Sequence, residues 1–122
     1  MNRAVFALSC FTALLATNLS AQSYPVKPIR VVVGYAPGGG VDVSARTIAK
    51  KLTETLGQAV VVENRTGASG NTAAGMVAKS PADGYTLYMA SSTIALPALF
   101  TNLPYDIRRD LAPISLVALG PS

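Results

Sequence analysis

The stretch "VVVGYAPGGGVD", residues 31–42, is a β-branched apolar run that breaks into three consecutive glycines and then reaches an acid. An apolar run with no alternation suits a strand buried on both faces, as in a parallel sheet. The run starts at Ile29, so a strand is expected over Ile29–Gly34 and a turn at Gly38-Gly39-Gly40. From Val41 the period changes. Val41, Ala45, Ile48, Leu52 and Leu56 form one apolar stripe at helical spacing, which predicts a helix over Val41–Leu56. Asp42 falls in its first turn, at the positive end of the helix dipole, and Gly57 is a natural stop. Strand, glycine turn and helix N-terminus together expose backbone N–H groups beside a partial positive charge, an arrangement that holds anions.

The alternation continues downstream. Ala59–Glu63 reads as a second strand, Asn64–Gly70 as a polar loop, and Asn71–Lys79 as a short helix with Asn71 as its N-cap. Gly75 within that helix costs about 1 kcal/mol against alanine, which points to close packing on the sheet. Ser80–Gly84 is a turn and Tyr85–Ala90 a third strand with the polar exit Ser91–Thr93. Ile94–Phe100 is expected to be helical with an interruption at Pro97, Asp106–Asp110 to form one helical turn, and Pro113–Ala118 a fourth strand. The β-α-β-α-β-α-β order predicts an α/β lobe, a mostly parallel sheet with helices on both faces and right-handed crossovers. Ligands of such sheets bind outside the carboxyl ends of the strands. The loops Tyr35–Gly40, Asn64–Gly70 and Ser91–Thr93 are expected there.

The chain has 122 residues, half of them apolar and 13% charged, which suits one packed domain rather than a disordered tail. Not all of the apolar content is core. Met1–Arg3 is a short positive head, Ala4–Leu19 an apolar run, and Ser20–Ser23 a small polar stretch, the layout of a secretory signal peptide. Ala21 and Ser23 supply small residues at −3 and −1, so the leader is expected to be residues 1–23, with cleavage after Ala21 as the alternative. The only cysteine, Cys10, lies inside the leader, and the chain has no histidine. The mature chain from Tyr24 therefore lacks disulfides, cysteine nucleophiles, His general bases and Cys/His metal sites. Net charge is +4, and +3 once Arg3 leaves with the leader. The basic residues are dispersed without aromatic interleaving, so no nucleic-acid partner is expected.

Two nucleotide readings of the glycine loop fail on chemistry. Gly34–Gly39 fits the first six places of a P-loop, but the Lys and Ser/Thr that hold phosphate and Mg²⁺ are Gly40 and Val41 here. A dinucleotide fingerprint fits better, with a glycine turn between strand and helix and Glu63 at the end of the next strand, but starting at Gly38 it places Val43 where the third glycine belongs, and Pro37 removes a backbone donor. No cofactor is expected. What remains is either a tight turn with no ligand or an anion smaller than a nucleotide. A carboxylate needs no Arg or Lys in the loop, and none is there. Asp42 either caps the helix or accepts from a donor group on the ligand.

Further motifs carry a family resemblance. They are Tyr24-Pro25-x-Lys27-Pro28-Ile29-Arg30, Ala36-Pro37-Gly38-Gly39-Gly40-x-Asp42, Leu56-Gly57-Gln58-x-Val60-Val61-Val62-Glu63-Asn64-Arg65 and Gly67-Ala68-x-Gly70-Asn71. Ala78-Lys79, Pro81-x-Asp83-Gly84-Tyr85-Thr86-Leu87, Leu103-Pro104-Tyr105-Asp106 and Asp110-Leu111-Ala112-Pro113 follow in order. Residues 24–122 resemble the N-terminal lobe of the Bug family, the substrate-binding proteins of tripartite tricarboxylate transporters. The resemblance implies a type II periplasmic-binding-protein fold, in which two α/β lobes close on a small carboxylate held largely by backbone groups and water. It puts Pro37, Gly38, Gly39, Gly40 and Asp42, then Ala68, Ser69, Gly70 and Asn71, then Ser91, Ser92 and Thr93 at the cleft. Thr66 and Ser69 depart from the commoner Pro/Ala and Gly. The family's fourth strand leads across a hinge to the second lobe, which is missing here, so a fragment or truncated product is expected.

The function that follows is an extracytoplasmic, non-enzymatic solute-binding protein. It would deliver a di- or tricarboxylate, an acidic amino acid or an aromatic carboxylate to the membrane subunits of a tripartite transporter. A secreted enzyme using carboxylates such as Asp42 and Glu63, and a sensor or adaptor lobe binding a protein partner, are the alternatives. The leader reading is checked by intact-mass measurement on periplasmic or secreted material. The expected N-terminus is Tyr24, and a retained Met1 or a lipid on Cys10 contradicts it.

Overall fold

A computed structural model describes residues 23–95, 100 and 102–118; the leader up to residue 22 and most of the helix expected over 94–100 lie outside the described residues. Three parallel strands form one sheet in the order β2-β1-β3, with β1 (Ile29–Val33) between β2 (Val60–Asn64) and β3 (Thr86–Met89). Val31 sits opposite Val62 on one side and Leu87 on the other. Helix α1 (Gly40–Leu56) joins β1 to β2, and helix α2 (Asn71–Ala78) lies between β2 and β3 in the chain.

The pleat of β1 assigns a helix to each face, because successive side chains of a strand point to opposite sides. Val31 and Val33 pack on Ala45 of α1, joined by Val60, Val62, Leu87 and Met89. Val32 points the other way, into Ala73 and Val77 of α2 with Tyr88 beside them. Both faces are covered, so β1 gains from an apolar residue at every position after Arg30, and its sequence shows no alternation.

The α1 stripe has the expected phase, but its deepest members are small or polar. Asp42, Ala45 and Ala49 are buried, while Val41, Ile48, Leu52 and Leu56 are half-buried. Gly57 ends the helix at φ 67°, donating its N–H to Thr53 O. At the same rim, that of the strands' amino ends, the start of the described chain is tied to the entry of β3. Tyr24 donates to Gly84 O at 2.6 Å, the Val26 amide donates to the Tyr85 hydroxyl at 2.9 Å, and Lys27 pairs with Asp83 at 3.3 Å.

Three expectations need correction. Asn71 is not the N-cap of α2. Gly70 takes that position at φ 92°, and Asn71 is the first helical residue with its side chain buried. Gly75 does not serve the sheet. A Cβ there would meet Pro104 Cγ at 3.2 Å and Tyr105 Cδ1 at 3.5 Å, so the missing side chain makes room for the 103–105 segment. That segment completes a third apolar cluster of Ala74, Ile94 and Tyr105. Finally, Pro113–Ala118 forms no strand, and Ile114 and Leu116 are 78% and 72% exposed. Apolar β-branched residues favour a strand only when a neighbour takes their backbone groups, and no such neighbour stands among the described residues. The short helix α3 (Ile107–Asp110) does form, with Asp106 as N-cap accepting from the amides of Arg108 and Arg109.

Gly34, just past the end of β1, lies tightly against the backbone of Gly70. A Cβ on Gly34 would lie 2.5 Å from Gly70 Cα and 2.9 Å from the Tyr88 hydroxyl, whereas a Cβ on Gly40 would meet nothing within 4 Å. Overpacking against backbone costs about 1–3 kcal/mol or more. Gly34→Ala is therefore expected to lower the denaturation midpoint strongly or to abolish folding. Gly40→Ala, at the first position of α1, should stay within about 1 kcal/mol of the parent. Urea unfolding of the two variants checks the contrast.

Candidate functional site

The strands are parallel, so their carboxyl ends share one rim. The loops that leave it are 34–39, 65–70 and 90–92. Sequence-predicted site residues occupy all three, but they do different jobs.

In the first loop Pro37, Gly38, Gly39 and Gly40 are exposed. Gly38 has φ 83°, which requires glycine. Asp42 is only 2% exposed, and both of its oxygens are engaged. Oδ2 accepts from the Gly38 amide at 2.9 Å and from Arg46 Nε at 2.9 Å, and Oδ1 accepts from Asn64 Nδ2 at 2.8 Å. Arg46 reaches on to Asn64 Oδ1 at 3.0 Å, and Asn64 Nδ2 also donates to Tyr35 O at 3.0 Å. Arg46 above all, then the Gly38 amide and Asn64, hold the Asp42 carboxyl far below the ordinary carboxylate range. Its role resembles the acid of a capping box, reaching back from the first turn to a backbone N–H ahead of the helix.

The outward groups of this loop are amides. Gly39 O accepts from the Val43 amide at 2.9 Å. The N–H on the same trans peptide plane, that of Gly40, therefore points out of the helix start. Helical geometry directs the Val41 N–H the same way.

The second loop is built on a left-handed turn. Ala68 and Ser69 have φ of 46° and 53°, a region that costs an L-residue about 1–2 kcal/mol. Gly67 O accepts from the Gly70 amide at 2.9 Å, and Ala68 O accepts from the Asn71 amide and from Asn71 Nδ2 at 2.8 Å. Both carbonyls face α2, so the N–H groups on their planes, those of Ala68 and Ser69, face away from it side by side. Of the predicted residues here, Ala68 and Ser69 are exposed and Gly70 is buried. The Asn71 side chain lies beneath the turn, with Oδ1 accepting from the Tyr105 hydroxyl at 2.5 Å.

In the third loop Ser91 is half-buried, with its Oγ 2.6 Å from the Tyr35 hydroxyl. Ser92 opens a 3₁₀ turn through Ala95 and is exposed, and Thr93 belongs to the same turn. The carboxylates considered for an enzymatic role are engaged in ion pairs. Asp42 is bound to Arg46, and Glu63 lies between Arg30, at 3.5 Å, and Arg65. Among the described residues no group of three His, Cys, Asp or Glu side chains could hold a metal ion.

Sequence reasoning placed Tyr35 and Asn64 in rim loops without giving them a role and missed Arg46, Tyr88 and Tyr105; all five make contact with or brace these loops. A signal was present for one of them. Arg46 stands four residues after Asp42, the spacing of a helical ion pair.

Solved structures share this parallel α/β lobe, among them a periplasmic binding protein, BugD, at 43% identity and a TM-score of 0.52, over 53% of this chain and 22% of that one. MatC from Rhodopseudomonas palustris with bound malate matches at 38% identity and a TM-score of 0.69, over 77% of this chain and 33% of that one. An R. palustris protein solved with adipate matches at 41% identity and a TM-score of 0.65, over 68% and 28% respectively. The protein BugT of Bordetella pertussis is 44% identical over 121 residues, 97% of this chain and 37% of BugT. Residues 44–122 match the model of the tripartite tricarboxylate transporter family receptor, and the chain belongs to that family. It spans about a third of the length of BugT and of MatC.

The Asp42 clamp gives a pH dependence. A carboxyl whose folded pKa is depressed contributes stability above its unfolded value, about 4, and loses it as pH falls below that value toward the folded one. An amide has a single acceptor oxygen, so Asp42→Asn would set an NH₂ against a donor from Asn64, or from Gly38 and Arg46. The variant is expected to be less stable than the parent at pH 7, with the gap narrowing as pH drops from about 4 toward 2. Urea midpoints of both proteins across that range test it, and a constant gap would contradict it.

Proposed function

We propose that this lobe captures a small carboxylate in the periplasm and, as part of a two-lobed receptor, presents it to the membrane subunits of a tripartite tricarboxylate transporter. No chemistry is done on the ligand. The observation that carries the reading is the pair of outward amides at Gly40 and Val41 on the same rim as the pair at Ala68 and Ser69. Carboxylate oxygens accept from such amides, and the start of α1 adds its dipole. The acids nearby do not repel an anion, because Arg46 neutralises Asp42 and Arg30 and Arg65 neutralise Glu63. Relatives solved with malate and with adipate support the ligand class. Ser91 and Ser92 add hydroxyls at the edge of the site.

A single lobe binds such a ligand weakly. Four hydrogen bonds at a net ~0.5–1.5 kcal/mol each stand against at least ~4 kcal/mol of lost translational and rotational freedom, so a dissociation constant around millimolar or weaker is expected for residues 24–122. The test is an NMR titration of this chain with malate, adipate and, as a control, an uncharged sugar. Both carboxylates should shift the amides of Gly38–Val41 and Ala68–Asn71, and the sugar should not. Shifts confined to other residues, or none at tens of millimolar, would contradict the reading.

A further inference from the structure

The chain has five tyrosines, and the sheet divides them between its two rims. Tyr24 and Tyr85 stand at the amino end, where their hydroxyls bond Gly84 O and the Val26 amide. The other three converge at the carboxyl end on three successive residues of the second loop. Tyr35 donates to Ser69 O at 3.2 Å, Tyr88 donates to Gly70 O at 2.9 Å, and Tyr105 donates to Asn71 Oδ1 at 2.5 Å. We propose that Tyr35, Tyr88 and Tyr105 are positioning residues for the carboxylate site, holding the left-handed Ala68–Gly70 turn in the conformation that keeps the Ala68 and Ser69 amides outward. The proposal rests on the carboxylate reading of the rim given above.

Two features make an external clamp necessary. Ala68 and Ser69 occupy backbone conformations that residues with a Cβ avoid. The turn also has few apolar contacts of its own, since residues 65–69 are exposed. The clamp comes from three separate elements. Tyr35 leaves β1, Tyr88 lies within β3, and Tyr105 belongs to the segment packed on α2. With Ser69 O and Gly70 O drawn inward, the peptide planes on either side of Gly70 cannot flip without breaking a hydrogen bond. Tyr35 also lies 2.6 Å from Ser91 Oγ, so one hydroxyl reaches all three rim loops at once. Burial pushes the hydroxyls of Tyr88 and Tyr105 upward in pKa, so both remain protonated donors at neutral pH.

Tyr→Phe variants remove each hydroxyl and keep the ring. Y35F and Y88F are compared with Y24F and Y85F, which lose hydrogen bonds at the far rim. The first readout is taken without ligand, as amide hydrogen exchange and backbone couplings at residues 68–71. Y35F and Y88F are expected to speed exchange at Gly70 and Asn71 by about three- to tenfold and to leave Val31–Val33 unchanged, while Y24F and Y85F leave residues 68–71 as in the parent. The second readout is malate titration, in which affinity should fall by about three- to tenfold in Y35F and Y88F and hold in the controls. Unchanged exchange and couplings in both Y35F and Y88F, equal changes in the controls, or parent-like malate affinity in the site variants would overturn the proposal. If the parent itself fails to bind malate, the carboxylate reading falls, and the exchange comparison alone then decides whether the tyrosines set the turn.

Discussion

The carboxyl rim is organised around one buried carboxylate. Asp42 sits at the start of α1 and gathers the Gly38 amide, the Arg46 guanidinium and the Asn64 side chain. These groups belong to the glycine loop, the helix and the end of β2, so the carboxylate adds a polar tie at the rim to the apolar packing that already joins α1 to the sheet. Leaving a carboxylate this deep without partners would be prohibitive. The partners are therefore obligatory, and their geometry fixes the loop that carries the outward amides. The half-exposed Arg46 supplies the charge balance without needing to touch a ligand.

The second organising contact is the backbone approach of Gly34 to Gly70. With no Cβ on either residue, the exit of β1 lies directly against the left-handed turn, and Tyr35 and Tyr88 reach across it. Stiffness in the site thus comes from the framework behind the loops. The loops themselves are exposed and have little packing of their own, the usual arrangement when binding residues are carried on a rigid scaffold.

The three strands and α1 were legible in the sequence because their signals are local and repeated: an unbroken β-branched run, a helical stripe, a glycine stop. The position of the rim loops followed from parallel order alone. Other features depended on partners distant in sequence. Asn71 looks like an N-cap by type and place, but Gly70 can take the left-handed conformation that the entry needs, which frees the Asn71 side chain to lie under the turn and meet Tyr105, 34 residues away. Gly75 reads as a sheet-packing position only until the 103–105 segment is placed against it. The run 113–118 has strand composition without a strand partner among the described residues. The tyrosines were invisible for the same reason, since nothing in the spacing of Tyr35, Tyr88 and Tyr105 says that they meet at three adjacent residues.

The arrangement of charge at the rim explains how such a lobe can hold an anion without a dedicated cation. Arg46 is bound to Asp42, and Arg65 shares Glu63 with Arg30, so neither Arg46 nor Arg65 stands unpaired at the rim. The attraction left over combines the one positive charge by which Arg30 and Arg65 exceed Glu63 with fixed dipoles, the amides at the start of α1 and on the second loop. A dipole array draws a carboxylate less strongly than an arginine would, but it is already oriented and loses little freedom when the ligand arrives. On the proposed reading it would read only the carboxylate end, and the remainder of the ligand would meet Ser91, Ser92 and the second lobe, so capture of the shared group and choice among carboxylates would fall to different parts of the receptor. A lobe of this kind can remain similar among relatives solved with ligands as unlike as malate and adipate.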